Sequence, residues 1–171
     1  MEQLLELDGE ADDSDRPVIC FDERPCPLIG EVCVPIPTQP GQPERYDYQY
    51  KRNGLVNLFA CFEALAAERL MEVTQQRTKA DFAHQMKKLV DGYRPQANCI
   101  RLVVDKLNIH HRATLDETFE PQQANRMLKK LEFHYTRKPA SWLNPVEIEL
   151  CVLSWQCLNR RIATPAELAE E

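Results

Sequence analysis

The sequence predicts a mixed α/β domain, and three observations carry that expectation. Two continuous apolar runs, residues 18–21 and 100–104, each end on an aspartate, Asp22 and Asp105, as short buried strands do where they meet a loop. Three segments, 78–90, 121–130 and 142–162, place apolar residues at helical spacing. The elements then run as three strands, helix, strand, helix, strand, helix, which is not a strict βαβ alternation.

Taken in order, residues 1–16 are acidic and read as a flexible tail, with Leu4, Leu5 and Leu7 as a short helical remnant. The first strand ends at Asp22. Residues 25–43 carry six prolines and the glycines 30 and 41, which excludes a helix and favours an irregular excursion with one edge strand near 31–34. Residues 54–65 are apolar and aromatic and 70–74 follow after a polar break, so a hairpin of the second and third strands is expected. The first helix follows over 78–90, with Phe82, Met86, Leu89 and Val90 on one side. After the strand 100–104 come a helix over 121–130, a strand over 131–136 and a long helix over 142–162. The apolar stripe of that helix passes through Leu143, Val146, Leu150, Leu153 and Cys157. The resulting domain plan is a tail over 1–16, a catalytic-sized body over 17–163 and an acidic end over 164–171.

Composition narrows the class. A chain of 171 residues with 43% hydrophobic and 28% charged residues is ordinary for one globular domain. Its longest apolar stretch, 55–67, is broken by Asn57 and Glu63, so no membrane span is expected, and no export signal precedes it. A cytoplasmic, nucleoid-associated location is the expectation. Seven cysteines without a Cys-x-x-Cys pair argue against a zinc ribbon and against disulfides, and for reduced thiols that pack as small apolar residues. The net charge of −6 is unevenly spread. Removing the seven acids and one arginine of residues 1–16 and the three acids at the end leaves 17 acids and 20 bases between Pro17 and Ala166, a mildly basic body. Paired bases such as Lys51-Arg52, Lys87-Lys88, Lys129-Lys130 and Arg160-Arg161 lie more often on solvated faces than on phosphates.

Asp22 and Asp105 follow the two clearest buried strands, where α/β sheets usually place their chemistry. Glu147 falls inside the stripe of the last helix, whereas Glu149 lies beyond its edge. Three carboxylates converging on one spot repel, and a divalent magnesium or manganese ion, which prefers oxygen ligands, would relieve them. Two such ions about 4 Å apart suit an in-line attack on phosphorus. The alternative, on spacing alone, is a pair of loop caps and a snorkelling glutamate.

The words around these acids are more specific. They are Cys20-Phe21-Asp22-Glu23-Arg24-Pro25, Pro40-Gly41-Gln42-Pro43-Glu44-Arg45, Arg52-Asn53-Gly54, Gln76-Arg77-Thr78-Lys79, Val104-Asp105-Lys106-Leu107-Asn108-Ile109-His110, Phe133-His134-Tyr135-Thr136 and Ser141-Trp142-Leu143-Asn144-Pro145-Val146-Glu147. In this order they closely resemble the DDE endonuclease (catalytic) domain of mariner-type insertion-sequence transposases. The resemblance implies an RNase H-like mixed sheet flanked by helices. It implies a transposase activity, metal-dependent DNA cleavage and strand transfer, with Asp22, Asp105 and Glu147 as catalytic and metal-binding residues and Mg2+ or Mn2+ as cofactor. Asn108, His110, Trp142 and Asn144 match segments beside the second and third acids; packing or capping stands beside DNA contact as their role.

The resemblance further implies DNA partners, both element ends and target, and a homodimer in a synaptic complex. It implies an upstream helix-turn-helix reader, whose place is taken here by the acidic tail, so a separate helix-turn-helix chain is the expected supplier. The sequence departs from the family at Lys106, where Asn is usual, at Arg137, where Pro is usual, and at Trp155, where a base is common. Lys106 would compete with metal for Asp105. The second reading is therefore an inactive or truncated remnant that binds DNA or oligomerises without catalysis. A third, an RNase acting on hybrids, fits the acids but not the transposase-like words.

Overall fold

Alternation of side chains along the central strands divides the apolar residues between two cores, one on each face of a single sheet. The computed structural model describes Leu7 and residues 9–136 and 144–171. Its strands are β1 (Val18–Glu31), β2 (Tyr50–Glu63), β3 (Glu68–Thr74), β4 (Ile100–Val104) and β5 (Leu131–Tyr135). Its helices are α1 (Lys79–Lys88), α2 (Arg112–Thr118), α3 (Pro121–Lys130), α4 (Val146–Gln156) and α5 (Pro165–Glu170). The sheet order is β3-β2-β1-β4-β5, with the first three strands antiparallel and β1, β4 and β5 parallel. Ile19, Phe21, Phe59, Cys61, Ile100, Leu102 and Val104 face α1, α2 and α3, packing on Phe82, Met86, Leu115 and Met127. Cys20, Cys26, Leu28, Val56, Leu58, Ala60 and Val103 face the other way, onto Val146, Leu150 and Leu168. Burial of this kind, at ~25 cal/mol per Å² of apolar surface, is what drives the layers together.

Helix α1 begins where its sequence supplies a reciprocal cap: Thr78 Oγ1 accepts from Asp81 N–H, and the Asp81 carboxylate accepts from Thr78 N–H at 2.8 Å. Replacing Thr78 by Ala is expected to cost about 1 kcal/mol, read as a lower urea midpoint at unchanged slope. The helix closes with a wide turn over Leu89–Tyr93, in which Arg94 N–H donates to Leu89 C=O at 2.9 Å.

Three expectations need correction. β1 does not stop at Asp22 but runs on through Pro25 and Pro27 to Glu31. This is possible because β1 pairs with β4 only from Val18 to Cys20, leaving that edge open further on. Pro25 and Pro27 share the parity of Ile29, whose N–H turns away from β2 to the Ile162 carbonyl, so their missing donors remove no bond to β2. The separate strand expected near 31–34 is not formed; beyond Glu31 the excursion is tied by the isolated bridges Ile36 to Arg45 and Gln39 to Gln42, and by Arg161, which donates to the Asp47 and Gln49 carbonyls. The long helix expected to reach Ile162 ends at Gln156, and Ile162 instead packs back on the α4 side of the sheet. Two short helices, α2 and α5, were not anticipated; α5 is capped by Thr164 and buries Leu168. The expected start of the long helix at Trp142 and Leu143 lies outside the described residues.

The acidic segment before β1 makes defined contacts. Leu7 is buried among the α4-side residues, and Asp15 C=O accepts from Asn98 N–H. The buried Arg101 guanidinium donates to Arg16 C=O and pairs with Glu10.

Candidate active site

Register brings the two aspartates together. β1 and β4 pair in parallel as Val18 with Arg101, Ile19 with Leu102 and Cys20 with Val103, and Asp22 and Asp105 each stand two residues beyond the last of these pairs. The two acids thus flank the place where the chains part, and the charge of Asp105 acts on Asp22. Within β1, Asp22 has the parity of Cys20 and Cys26 and therefore faces α4, while Glu23 has the parity of Phe21 and faces α1.

Helix α4 is tied to this spot from both ends of its first turns. Asn144 is buried and donates from Nδ2 to the Phe21 carbonyl at 3.0 Å, one residue before Asp22, and its own carbonyl accepts from Glu147 N–H. Arg24 reaches from β1 to the Leu150 carbonyl at 3.3 Å and to the Ser154 hydroxyl. Glu147 is half-buried, and its charge acts on Asp22. Glu149, expected beyond the stripe, is half-buried as well and pairs with Arg69 of β3 at 3.3 Å.

Burial pushes the Asp22 carboxyl up to about 7; a hydrogen bond from Glu23 N–H opposes the rise, and the charges of Glu23, Asp105 and Glu147 add to it. Each of the three flanking acids therefore lies within electrostatic reach of Asp22. As the side chains stand, no three His, Cys, Asp or Glu groups among the described residues are gathered tightly enough to hold one ion.

Asp105 has a different companion. Its Oδ1 lies 2.5 Å from His110 Nδ1, and on the far side of the ring His110 Nε2 lies 3.0 Å from Glu23 Oε2. The second contact is close enough for an ion pair but out of line for a hydrogen bond. Glu23 Oε1 in turn accepts from Arg77 at 3.0 Å. The imidazole is fully buried, with its centroid 5.4 Å from the Phe21 ring and 4.8 Å from that of Phe82. Burial alone would lower the pKa of His110, but the bonds and charges of Asp105 and Glu23 outweigh it and raise the group to about 9.

Of the residues singled out from sequence, Asp22, Asp105, Glu147, His110 and Asn144 therefore surround one rim of the sheet, Asn108 is exposed on the turn after β4, and Trp142 lies outside the described residues. Lys106, which follows Asp105, is exposed, and the ion-pair partner of Asp105 is His110 instead. Glu23, Arg24 and Arg77 were missed as site residues. A signal for the first two existed in the parity of β1, which sends Glu23 to the face opposite Asp22 and Arg24 to the same face; Arg77, in the segment before α1, had none.

A five-stranded sheet of order 3-2-1-4-5, with one acid within the central strand β1, another just after its parallel neighbour β4, and helices on both faces, is an RNase H-like domain. Within that class, the chain belongs to the DDE superfamily endonucleases, whose family model matches residues 17–169. Among solved structures it is similar to the Mos1 mariner paired-end complex with Mn, at 13% identity and a TM-score of 0.62 over 99% of this chain and 50% of that one. It is also similar to the Mos1 transposase paired-end complex with left transposon end, at 13% identity and a TM-score of 0.64 over 99% and 49%. The likeness is one of fold, and the chain spans about half the length of those transposases. No curated protein matches the sequence. No helix among the described residues is long and apolar enough to cross a membrane.

Proposed function

We propose that this domain cleaves and joins DNA phosphodiester bonds as the catalytic part of a transposase, with Asp22, Asp105 and Glu147 as its metal-binding and catalytic acids. The observation that supports the reading is that Asp22 and Asp105 each lie two residues beyond the last β1–β4 pair, with the half-buried Asp22 carboxyl pushed up to about 7 and the charges of Asp105 and Glu147 acting on it. An all-carboxylate donor set whose members repel fits a hard divalent cation such as Mg2+ or Mn2+, and the Mos1 mariner paired-end complex of similar fold is a complex with Mn. When bound, such ions would activate the attacking water or 3′-hydroxyl and steady the leaving oxygen. The chain's own part is to hold the carboxylates: β1 carries Asp22, Asp105 follows directly on β4, and the Asn144 bond to the Phe21 carbonyl fixes the start of the helix that carries the third.

Element ends and target are the proposed DNA, and a homodimeric synaptic complex is the proposed assembly, by likeness to the paired-end Mos1 complexes. A helix-turn-helix reader on a separate chain belongs to the same proposal, as does work at the nucleoid in the cytoplasm. Of the basic pairs, Lys88, Arg160 and Arg161 are engaged with Glu72, Glu171 and Glu31, whereas Lys51 and Arg52 on β2 stand exposed and are the phosphate contacts we favour.

Cleavage of duplex DNA by the full chain in Mg2+ or Mn2+ is the test. Activity that survives Asp105→Asn would end the assignment of that residue. A second reading, a folded remnant without catalysis, has one observation in its favour: the acids do not close into a ligand set as they stand. Calorimetric titration with Mn2+ separates the two, since a silent titration supports the remnant.

A further inference from the structure

Glu23 and Arg77 have no part in the three-acid scheme, yet they begin a chain of charges that runs from exposed Arg77 through buried Glu23 and His110 to Asp105. Glu23 is only 1% exposed at its side chain, an expensive place for a carboxylate without partners. Its two oxygens are spent differently: Oε1 on Arg77 and Oε2 on His110. His110, at 0% exposure, has Nδ1 bonded to Asp105, Nε2 ion-paired with Glu23, and its ring packed against those of Phe21 and Phe82. A buried ring with an acid at each nitrogen and two aromatic neighbours is held in one orientation, and so fixes the oxygen it bonds.

We propose that Arg77, Glu23 and His110 form a positioning chain that sets the orientation of the Asp105 carboxylate, so that one oxygen stays on the imidazole and the other is presented toward Asp22. The inference rests on the reading of Asp105 as a metal ligand. Its chemistry is that of carboxylates held by outer partners around a metal, where losing the outer partner weakens metal binding or activity about 10- to 100-fold. The polarity of the contacts agrees: β1 turns Asp22 toward α4 and its neighbour Glu23 toward α1, so one dipeptide supplies both a candidate ligand and the support of the opposite ligand.

Electrostatics alone predicts the reverse sign for Arg77. Its guanidinium brings positive charge toward a cation site, so neutralising it would tighten Mn2+ binding if charge were all that mattered. Positioning predicts that Arg77→Gln and His110→Gln both bind Mn2+ more weakly. The experiment is a calorimetric Mn2+ titration of the full chain, with Mn2+-dependent DNA cleavage measured in parallel, on wild type, His110→Gln, Arg77→Gln, Arg77→Lys and Glu23→Gln. His110→Gln and Glu23→Gln are expected to raise the Mn2+ dissociation constant about tenfold or more, and Arg77→Gln several-fold. Arg77→Lys, which keeps the charge on Glu23, is expected to recover most of the Arg77→Gln loss. Excess Mn2+ should restore most of the cleavage rate, because the reacting groups are intact.

Met127→Val, on α3 in the same core, controls for loosening: it should lower the melting temperature and leave the Mn2+ constant unmoved. Tighter or unchanged Mn2+ binding in His110→Gln and Arg77→Gln, with wild type binding normally, overturns the positioning chain and leaves the three acids standing. A wild type that neither binds Mn2+ nor cleaves, with Asp105→Asn indistinguishable from it, overturns both.

Discussion

Asp22→Asn is expected to lose on the order of a thousandfold in metal-dependent cleavage and, in the same protein, to make the metal-free fold more stable at pH 8. The first effect follows from removing a ligand from a cation that supplies several kcal/mol of charge stabilisation, at 1.36 kcal/mol per tenfold in rate. The second follows from burial. In the unfolded chain Asp22 titrates near its ordinary value of 3.8, whereas the folded chain holds it at about 7. Below pH 3.8 both states are protonated and the residue costs nothing. Between 3.8 and about 7 the unfolded state gives up its proton first, so its contribution to stability declines with rising pH and is fully lost above 7. Asparagine keeps the acceptor for Glu23 N–H and carries no charge, so the gain of the variant over wild type should grow across that window and level off. On the order of 1–2 kcal/mol at pH 8 is expected once partial exposure is allowed for. Thermal melts at pH 4 and pH 8, with and without Mn2+, check it. Mn2+ at about 100 times its dissociation constant should raise wild type by about 2.7 kcal/mol and the variant far less. A variant less stable than wild type at pH 8 without metal would mean that Asp22 is not paying a burial cost at all.

How much of this could be read from the residues differs between fold and site. Periodicity found both parallel central strands, the hairpin of β2 and β3, and helices α1 and α3, because each has a long enough run for its period to show. It failed where tertiary context decides. Pro25 and Pro27 signal a break locally, and only the early departure of β4 makes them harmless in β1. Helix α2, seven residues of polar sequence with Thr114 and Leu115 turned inward, has too few apolar positions to declare a period. The stripe of the last helix continues in sequence through Cys157, yet the helix stops at Gln156, since Ile162 is needed back against β1, where its carbonyl accepts from Ile29.

For the site, the acids at strand ends and the inward glutamate were legible because each announces itself by position within one element. The chain from Arg77 to Asp105 was not. Each of its members looks ordinary in its own segment, and the link appears only when β1, the segment before α1 and the turn after β4 are packed together. The same is true of Lys106. Beside Asp105 in sequence it reads as a competitor for metal, but a residue after a strand end can turn outward, and here its side chain is exposed while His110 takes the carboxylate.

Phe21→Ala carries the largest expected cost to the fold. Its ring is fully buried at the centre of the α1-side core, stacked 5.5 Å from Phe59, edge-on 5.3 Å from Phe82 and edge-on 5.4 Å from His110. Truncation removes the transfer energy of the ring, leaves a cavity and breaks three ring contacts, for about 3–5 kcal/mol, a large share of the roughly 5–15 kcal/mol typical of a domain. Phe21→Leu, which fills most of the space, should cost under ~1.5 kcal/mol by urea denaturation. The pair also separates ring from backbone. Asn144 is bonded to the carbonyl of Phe21, not its ring, so Phe21→Leu should keep the start of α4 anchored beside Asp22. What Phe21→Leu loses is the edge-on support of the imidazole. Its Mn2+ binding should therefore weaken less than that of His110→Gln, while Phe21→Ala should lose both stability and metal affinity together. Equal stability for the leucine and alanine variants would show that the ring is not packed as described.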